Sequence, residues 1–288
     1  MSAEKYYASF PSLEGRLVAL SGSTGGLGRQ LCRMILDRQG RLILIDRNQK
    51  KQADLIESLT ADFPAAEIHA LNADMEDIGS VKKMCGELIK LRPDIMIHNA
   101  GAYDIPRHIC PTGYDNVFQI NFLSPYYITR QLISIGTKIV VVGSIAHNYS
   151  KIDPTDIDFR SRKASSLVYG NSKRYSMFAH LELAKSHGLD LAVAHPGITM
   201  TGITDHYPKW LYAIIKHPMK AIFMGNRKAA LSIMQGLYTS TPEYTWIGPK
   251  IFNVWGLPSI KTINSCKREE IAFIAETAER LYADFTTD

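Results

Sequence analysis

The segment RLVALSGSTGGLGRQLCRMILDRQG, running from Arg16 to Gly40, decides the fold. An apolar run from Arg16 to Ser21 breaks into Gly22-Ser23-Thr24-Gly25-Gly26-Leu27-Gly28. Behind it, Leu27, Leu31, Met34 and Ile35 recur at helical spacing until Gly40 ends the pattern. Strand, glycine turn and helix in that order are the setting in which glycines cradle a nucleotide. They permit the tight turn and let the backbone approach a pyrophosphate, whose charge is held by the helix N-terminus. The spacing is GxxxGxG (Gly22, Gly26, Gly28), not the commoner GxGxxG. Without its flanks the same stretch would read as a glycine-rich surface loop.

Outward from this segment the alternation continues. The strand Arg41 to Ile45 ends at Asp46, 18 residues past Gly28, where a dinucleotide-binding fold places a carboxylate on the adenosine ribose. That carboxylate repels a 2′-phosphate and favours NAD, whereas the guanidinium of Arg47 would welcome the phosphate of NADP. The balance adopted is NAD over NADP. A helix from Lys50 to Phe63, a strand from Glu67 to Ala73, a helix from Ile78 to Leu91 and a strand from Asp94 to His98 follow. Such alternation predicts an α/β fold with a doubly wound parallel sheet and right-handed crossovers. No internal repeat or linker divides the 288 residues, so residues 1–288 read as a single domain.

Bulk properties narrow the class. Hydrophobic content of 45% with 21% charged residues suits a chain that buries a full core. The net charge of +5 is spread along the chain and gives no support to nucleic-acid binding. Cys32, Cys85, Cys110 and Cys266 are far apart and form neither a disulfide framework nor a ligand-spaced metal motif. The N-terminus lacks the apolar core of a secretory signal, and no apolar run reaches membrane-spanning length. A cytoplasmic protein without metal is the expectation.

The chemistry lies in the second half. Tyr169-Gly170-Asn171-Ser172-Lys173 opens a predicted helix that runs to Gly188, and a spacing of four puts phenol and ammonium on one face. A nearby cation favours the phenolate and brings the tyrosine within reach of acid/base work. Asn121 sits inside a predicted helix from Asp115 to Ser134, a poor place for Asn. Ser144 follows the strand Lys138 to Val142, at the end where ligands bind in open α/β sheets. The strand Leu189 to Ala194 leads into His195-Pro196-Gly197. Each of these also has an ordinary reading: an exposed helix face, a turn serine, a loop.

Taken in order, SGSTGGLG, Asp74, Asn99-Ala100-Gly101, Asn121, Gly143-Ser144, the Tyr169/Lys173 pair and His195-Pro-Gly resemble the short-chain dehydrogenases/reductases, over roughly residues 14–205. Within that family the chain is most similar to the retinol and hydroxysteroid dehydrogenases, through Ser144-Ile-Ala-His147, Lys151-Ile-Asp153 and the 25-residue gap between Ser144 and Tyr169. It departs in having Ser21 for the usual Thr, His98 where an Asn is common, and Asp46-Arg47-Asn48 where that branch often has Cys-Arg-Asn. The resemblance implies a Rossmann-type sheet and an NAD(P)-dependent oxidoreductase. Tyr169 would be the acid/base, Ser144 the donor to the same substrate oxygen, Lys173 the group that lowers the Tyr169 pKa and binds the nicotinamide ribose, and Asn121 the holder of a relay water. It further implies a cofactor lined by Gly22, Ser23, Thr24, Gly26, Leu27, Gly28, Asp46, Arg47, Asp74, Met75, Asn99, Ala100, Gly101, Pro196, Gly197, Ile198, Thr199 and Thr201. Substrate would touch Ser144, Ala146, Tyr169 and Trp210.

Residues 202–226, rich in aromatic, aliphatic and Met side chains, are expected to form a substrate lid, with packed helices or a membrane-resting face as the other readings. Later come a helix from Arg227 to Thr239, a last strand at Tyr244 to Pro249, and an amphipathic helix over about 265–285 with Ile271, Ile274, Ala275, Ala278, Leu281, Tyr282 and Phe285 on one stripe. The leading expectation is a secondary alcohol/ketone oxidoreductase acting on a lipophilic substrate, a hydroxysteroid first. A retinol or fatty-chain alcohol dehydrogenase or carbonyl reductase stands second. A catalytically silent dinucleotide-binding regulator would have lost Ser144, Tyr169 or Lys173. A nucleotide-sugar epimerase would usually carry GxxGxxG. The resemblance suggests a homodimer or homotetramer pairing through the Asn121 and Tyr169 helices.

Overall fold

The computed structural model describes residues 1–197 and 224–286. Their centre is one eight-stranded sheet in the order β3-β2-β1-β4-β5-β6-β7-β8. The strands β1 (Leu17–Ser21), β2 (Arg41–Asp46), β3 (Ile68–Asn72), β4 (Ile95–His98), β5 (Lys138–Val142), β6 (Leu191–Ala194) and β7 (Thr245–Ile251) run parallel. The edge strand β8 (Trp255–Thr262) returns antiparallel to β7. Strands β1, β4, β5 and β6 are buried along their whole length. That explains why they read as unbroken apolar runs: a parallel sheet covered on both faces needs apolar side chains on both.

One face carries α2 (Gly26–Asp37), α3 (Gln49–Asp62) and α8 (Asn226–Tyr238), whose Leu31, Leu55 and Ile233 share one buried apolar cluster with Val18 and Leu20 of β1. The other carries α4 (Ile78–Leu91), α6 (Ser124–Leu132) and α7 (Ser165–His187), whose Val81, Ile128 and Phe178 share the second buried cluster with Leu17 and Ala19. The order reverses between β1 and β4, so the crevice beyond their C-terminal ends is the topological switch point at which such sheets bind ligands. A single-domain, doubly wound α/β fold is what the alternation predicted.

The expected elements recur with ends shifted by a few residues. The predicted helix around Asn121 is built in three pieces: α5 (Asn116–Phe118), a π-helical turn (Gln119–Leu123) and α6. Asp115 caps it by accepting from the Val117 N–H. Two elements escaped the sequence reading. One is α1 (Ala3–Ala8), held by a Tyr6 hydroxyl bond to Gln235 and stacking of Phe10 on Tyr238. The other is β8, whose Pro258 and lack of any fully buried position hide its strand character. The expected lid at 202–226 lies outside the described residues up to 223. None of the described helices is long and apolar enough to cross a membrane.

The C-terminal helix α9 (Arg268–Thr286) buries Ile271, Ile274, Ala278 and Leu281, with Ala275, Tyr282 and Phe285 half-buried, as its stripe implied. It lies against α7 and α6 of its own chain. Tyr126 donates to Glu279 at 2.5 Å, Arg130 pairs with the same carboxylate at 2.6 Å, the rings of Tyr127 and Tyr282 are 5.6 Å apart, and Arg174 reaches Glu270 at 3.0 Å.

Candidate active site

The nucleotide end is assembled by backbone economy. Gly22 has φ +69°, and a Cβ there would come within 2.8 Å of the Ala100 Cα. A Cβ on Gly28 would lie 2.2 Å from the Gly22 carbonyl oxygen. Only glycine lets the turn fold back on α2 and sit against the strand end of β4. Helix α2 begins at Gly26 with no side-chain cap, and Gly25 and Gly26 are exposed. Its first N–H groups therefore face outward without an intrachain acceptor from a cap, which suits a pyrophosphate. Ser21, standing for the usual Thr, keeps the hydroxyl's work: its Oγ accepts from the N–H groups of Asn99 (3.2 Å) and Ala100 (3.1 Å). Asn99 returns the tie, its amide donating to the carbonyls of Ser21 and Gly22. Asn99, Ala100 and Gly101 thus brace the glycine turn.

Asp46 closes β2 and turns inward. Its carboxylate accepts from the Ser23 hydroxyl and from the Thr24 N–H (3.1 Å) and hydroxyl (3.0 Å). Burial pushes its pKa up against these bonds. Arg47 points out and pairs with Glu76 at 3.3 Å. Asp74 takes the Glu76 N–H, and the Met75 carbonyl takes the Ser124 hydroxyl, joining this turn to α6.

The four expected catalytic residues converge at the ends of β4 and β5. Lys173 is buried and donates to the Val142 carbonyl at 3.0 Å. Asn121 is buried rather than exposed. Its side chain accepts from the Ala102 N–H (2.8 Å) and donates to the Ala102 carbonyl (2.9 Å) and to the Ser172 hydroxyl (2.9 Å). The π turn re-aims this side chain out of the helical register. Gly101 stays glycine because a Cβ there would press on the Asn121 Oδ1 at 3.1 Å, with Lys173 Nζ at 3.5 Å. Ser144 caps the short turn Ile145–Asn148, and its hydroxyl stands close enough to the Tyr169 phenol to lower its pKa. Gly170 is what lets that turn touch α7, since a Cβ there would lie 2.4 Å from the Ala146 carbonyl oxygen.

The Lys173 Nζ lies 5.8 Å from the Tyr169 ring centroid and is engaged with Val142. Burial raises the phenol above its ordinary range, the Ser144 hydroxyl opposes that, and Tyr103 adds to it. Burial in turn depresses Lys173 to about 8. The phenol of the protein by itself is therefore protonated at neutral pH.

Beyond the four, Tyr103 sets its ring edge-on to Tyr169, centroids 5.1 Å apart. His98 is buried in β4, with its Nε2 2.8 Å from the Thr129 hydroxyl, which in turn reaches His180 at 3.1 Å. His195 stacks on Trp246 at 4.9 Å and bonds the Asn253 carbonyl at 3.0 Å, so β7 and its hairpin orient the Pro196-Gly197 corner. At Gly197, φ is +85° and a Cβ would meet the Val254 carbonyl oxygen at 2.9 Å. Trp246 and Tyr103 were missed from sequence; nothing in their spacing signals a role. Ile198, Thr199, Thr201 and Trp210 lie outside the described residues.

Comparison with known proteins agrees with this geometry. The model of the short chain dehydrogenase family matches residues 16–155. Retinol dehydrogenase 12 of Mus musculus is 23% identical over 262 residues, covering 84% of this chain and 82% of its own. An uncharacterized protein from Mycobacterium paratuberculosis superposes with a TM-score of 0.74 at 22% identity, over 96% of this chain and 97% of that one. The NADP complex of Pseudomonas aeruginosa RhlG superposes with a TM-score of 0.59 at 21% identity, over 82% and 92%. With the glycine turn, the Ser144/Tyr169/Lys173 cluster and the doubly wound sheet in place, the chain matches the short-chain dehydrogenases/reductases over residues 16–155 and reads as an NAD(P)-dependent oxidoreductase acting on CH–OH groups.

Proposed function

We propose that this oxidoreductase interconverts an alcohol and its carbonyl on a lipophilic substrate, with a retinoid-like or long-chain compound as the first choice and a hydroxysteroid as the second. The observation that carries the reading is the setting of Tyr169, whose hydroxyl neighbour is Ser144 and whose ring packs edge-on with that of Tyr103. A polar reacting end beside an aromatic wall suits an apolar molecule with one oxygen to place. The name of the retinol dehydrogenase relative supports the same class.

The bound nicotinamide supplies the hydride chemistry. The chain's own residues handle the oxygen. A substrate carbonyl oxygen beside Ser144 receives its hydroxyl bond, which stabilises the charge that develops there. Tyr169 donates its proton to that oxygen, and takes it back in the reverse direction. With its pKa raised by burial, Tyr169 holds the proton that carbonyl reduction takes up. Lys173, held by Val142, presents a buried ammonium at the position where the resemblance places the nicotinamide ribose. Asn121 fixes the loop after β4 and the Ser172 turn around this pair.

For the cofactor, NAD over NADP remains the proposal, because the buried Asp46 carboxylate stands at the end of β2 while Arg47 is occupied by Glu76. For assembly, pairing through α6 and α7 would require α9 to leave the side chains it holds on those helices. Oligomers are therefore proposed to form through other surfaces. Initial rates with NADH and NADPH across retinoids, long-chain aldehydes, oxosteroids and sugar nucleotides test the substrate reading. A kcat/KM highest for a sugar nucleotide, or equal across all four classes, would sink it.

A further inference from the structure

We propose that Glu76, His108 and Cys110 form a binding site for a divalent metal ion of the zinc type, joining the turn after β3 to the loop after β4. Among the described residues these three bring a carboxylate oxygen, an imidazole nitrogen and a thiol sulfur within 4.8 Å of one another. A tetrahedral zinc with bonds of about 2.0–2.3 Å sets its ligand atoms about 3.3–3.8 Å apart. Side-chain adjustments of about an ångström close the remaining gap. His108 Nε2 already lies 3.0 Å from a Glu76 oxygen.

The backbone that carries these ligands is braced. His108 and Cys110 flank Ile109, which bridges to Asp115. The Cys110 N–H donates to the Tyr114 carbonyl at 2.8 Å, and the His108 carbonyl accepts from the Asn116 N–H at 3.0 Å. Glu76 begins from a turn fixed by its N–H bond to Asp74. Ligands from a braced loop reach a metal with little ordering cost.

The charge environment points to a cation. The carboxylates of Glu76, Asp115 and Asp74 bring negative charge to the surroundings of the Cys110 sulfur. A field that opposes a bare thiolate favours one neutralised by a dication. On binding, the S–H proton leaves to solvent and the sulfur lone pair forms the metal bond. The imidazole must also change tautomer. Its Nδ1 now faces the Asn116 amide nitrogen at 3.2 Å. The metal-bound form carries the proton on Nδ1 and needs the Asn116 oxygen turned towards it, losing the bond from Asn116 to the Pro106 carbonyl. One sulfur, one nitrogen and one oxygen select zinc or cobalt over magnesium or calcium, and three protein ligands leave a fourth position for water. Glu76 also holds Arg47, and it follows Asp74 and Met75, the positions the resemblance assigns to the adenine. Metal at this point would pin the loop that leads from Ala102 against the cofactor's adenosine end.

Cobalt titration of the reduced, tag-free protein tests the site, independently of any substrate. The expected result is saturation at one Co2+ per chain, with tetrahedral visible bands and a thiolate-to-cobalt charge-transfer band, all removed by Zn2+. The melting temperature should rise with Zn2+ concentration. Cys110→Ser should lose the charge-transfer band, and His108→Ala, at an exposed position, should lose saturable binding while remaining folded. Cys266→Ser should behave as wild type. Absence of the charge-transfer band in the wild-type protein, or its survival in both Cys110→Ser and His108→Ala, overturns the proposal.

Discussion

Replacing Gly170 by alanine separates packing from helix propensity at the site. In an unconstrained helix interior, Gly→Ala gains about 1 kcal/mol. Here the new Cβ would lie 2.4 Å from the Ala146 carbonyl oxygen and 3.0 Å from Ser150 Oγ, where ordinary contact begins at 3.4 Å. The turn Ile145–Asn148 must retreat by about 1 Å, an overpacking cost of about 1–3 kcal/mol. The net expectation is a protein between unchanged and about 2 kcal/mol less stable. The kinetic effect is larger, because the retreating turn carries Ser144 away from Tyr169. A displacement of about 1 Å at a reacting group costs on the order of 10²-fold in rate. The assay is kcat/KM for carbonyl reduction beside a urea denaturation curve and a cofactor titration, the last unchanged. A variant that is more stable by about 1 kcal/mol and fully active would refute the claim that close approach at Gly170 sets the Ser144–Tyr169 contact.

Four other outcomes follow from the same structure. Gly28→Ala should abolish cofactor binding by driving a Cβ into the Gly22 carbonyl, read by quenching of protein fluorescence with NADH; retained affinity would contradict the cradle. Lys173 falls from 10.5 to about 8, so its contribution to stability is present above the unfolded value and lost as pH drops through 8. Lys173→Met should then be more stable than wild type at pH 7, by at most about 3 kcal/mol, with the gap shrinking towards pH 10; a gap that does not depend on pH would count against the burial cost. His180 and His195 are depressed to about 4, so their stabilising effect holds above 6.5 and declines as pH falls towards 4, and His180→Phe should flatten that acid limb in denaturation curves. Light scattering should show no pairing through α6 and α7 in the full chain, whereas disruption of α9 by Ile274→Asp should expose Tyr126 and Tyr127 and promote association or aggregation; a dimer cross-linked through those two tyrosine faces in the intact chain would defeat this.

The parts of the fold that were legible from sequence are those where one local rule decides the outcome. The Arg16–Gly28 segment could be read because strand periodicity, glycine turn and helix periodicity each act over a few residues. The strands β1, β4, β5 and β6 announced themselves because burial on both faces leaves polar residues only at their ends (Ser21, His98, Lys138). β8 did not, since at the sheet edge its residues are exposed or half-buried and its pairing with β7 is a tertiary fact. Among the candidate site residues, Ser144, Tyr169 and Lys173 were singled out by order and spacing. The burial of Asn121 was not, because a poor helix former reads as exposed until the π turn is seen. The upward shift of the Tyr169 pKa was also out of reach. It depends on what desolvates the phenol, which no spacing encodes. The Glu76/His108/Cys110 cluster was hidden for a related reason, its members being joined only by the packing of two loops.

The most direct test of the central claim compares wild type with Tyr169→Phe in nicotinamide-linked reduction of a lipophilic carbonyl, with NADH binding measured on both. The account predicts equal cofactor affinity and a loss of about 10²–10⁴-fold in kcat for the phenylalanine variant. Turnover that survives the substitution would contradict it.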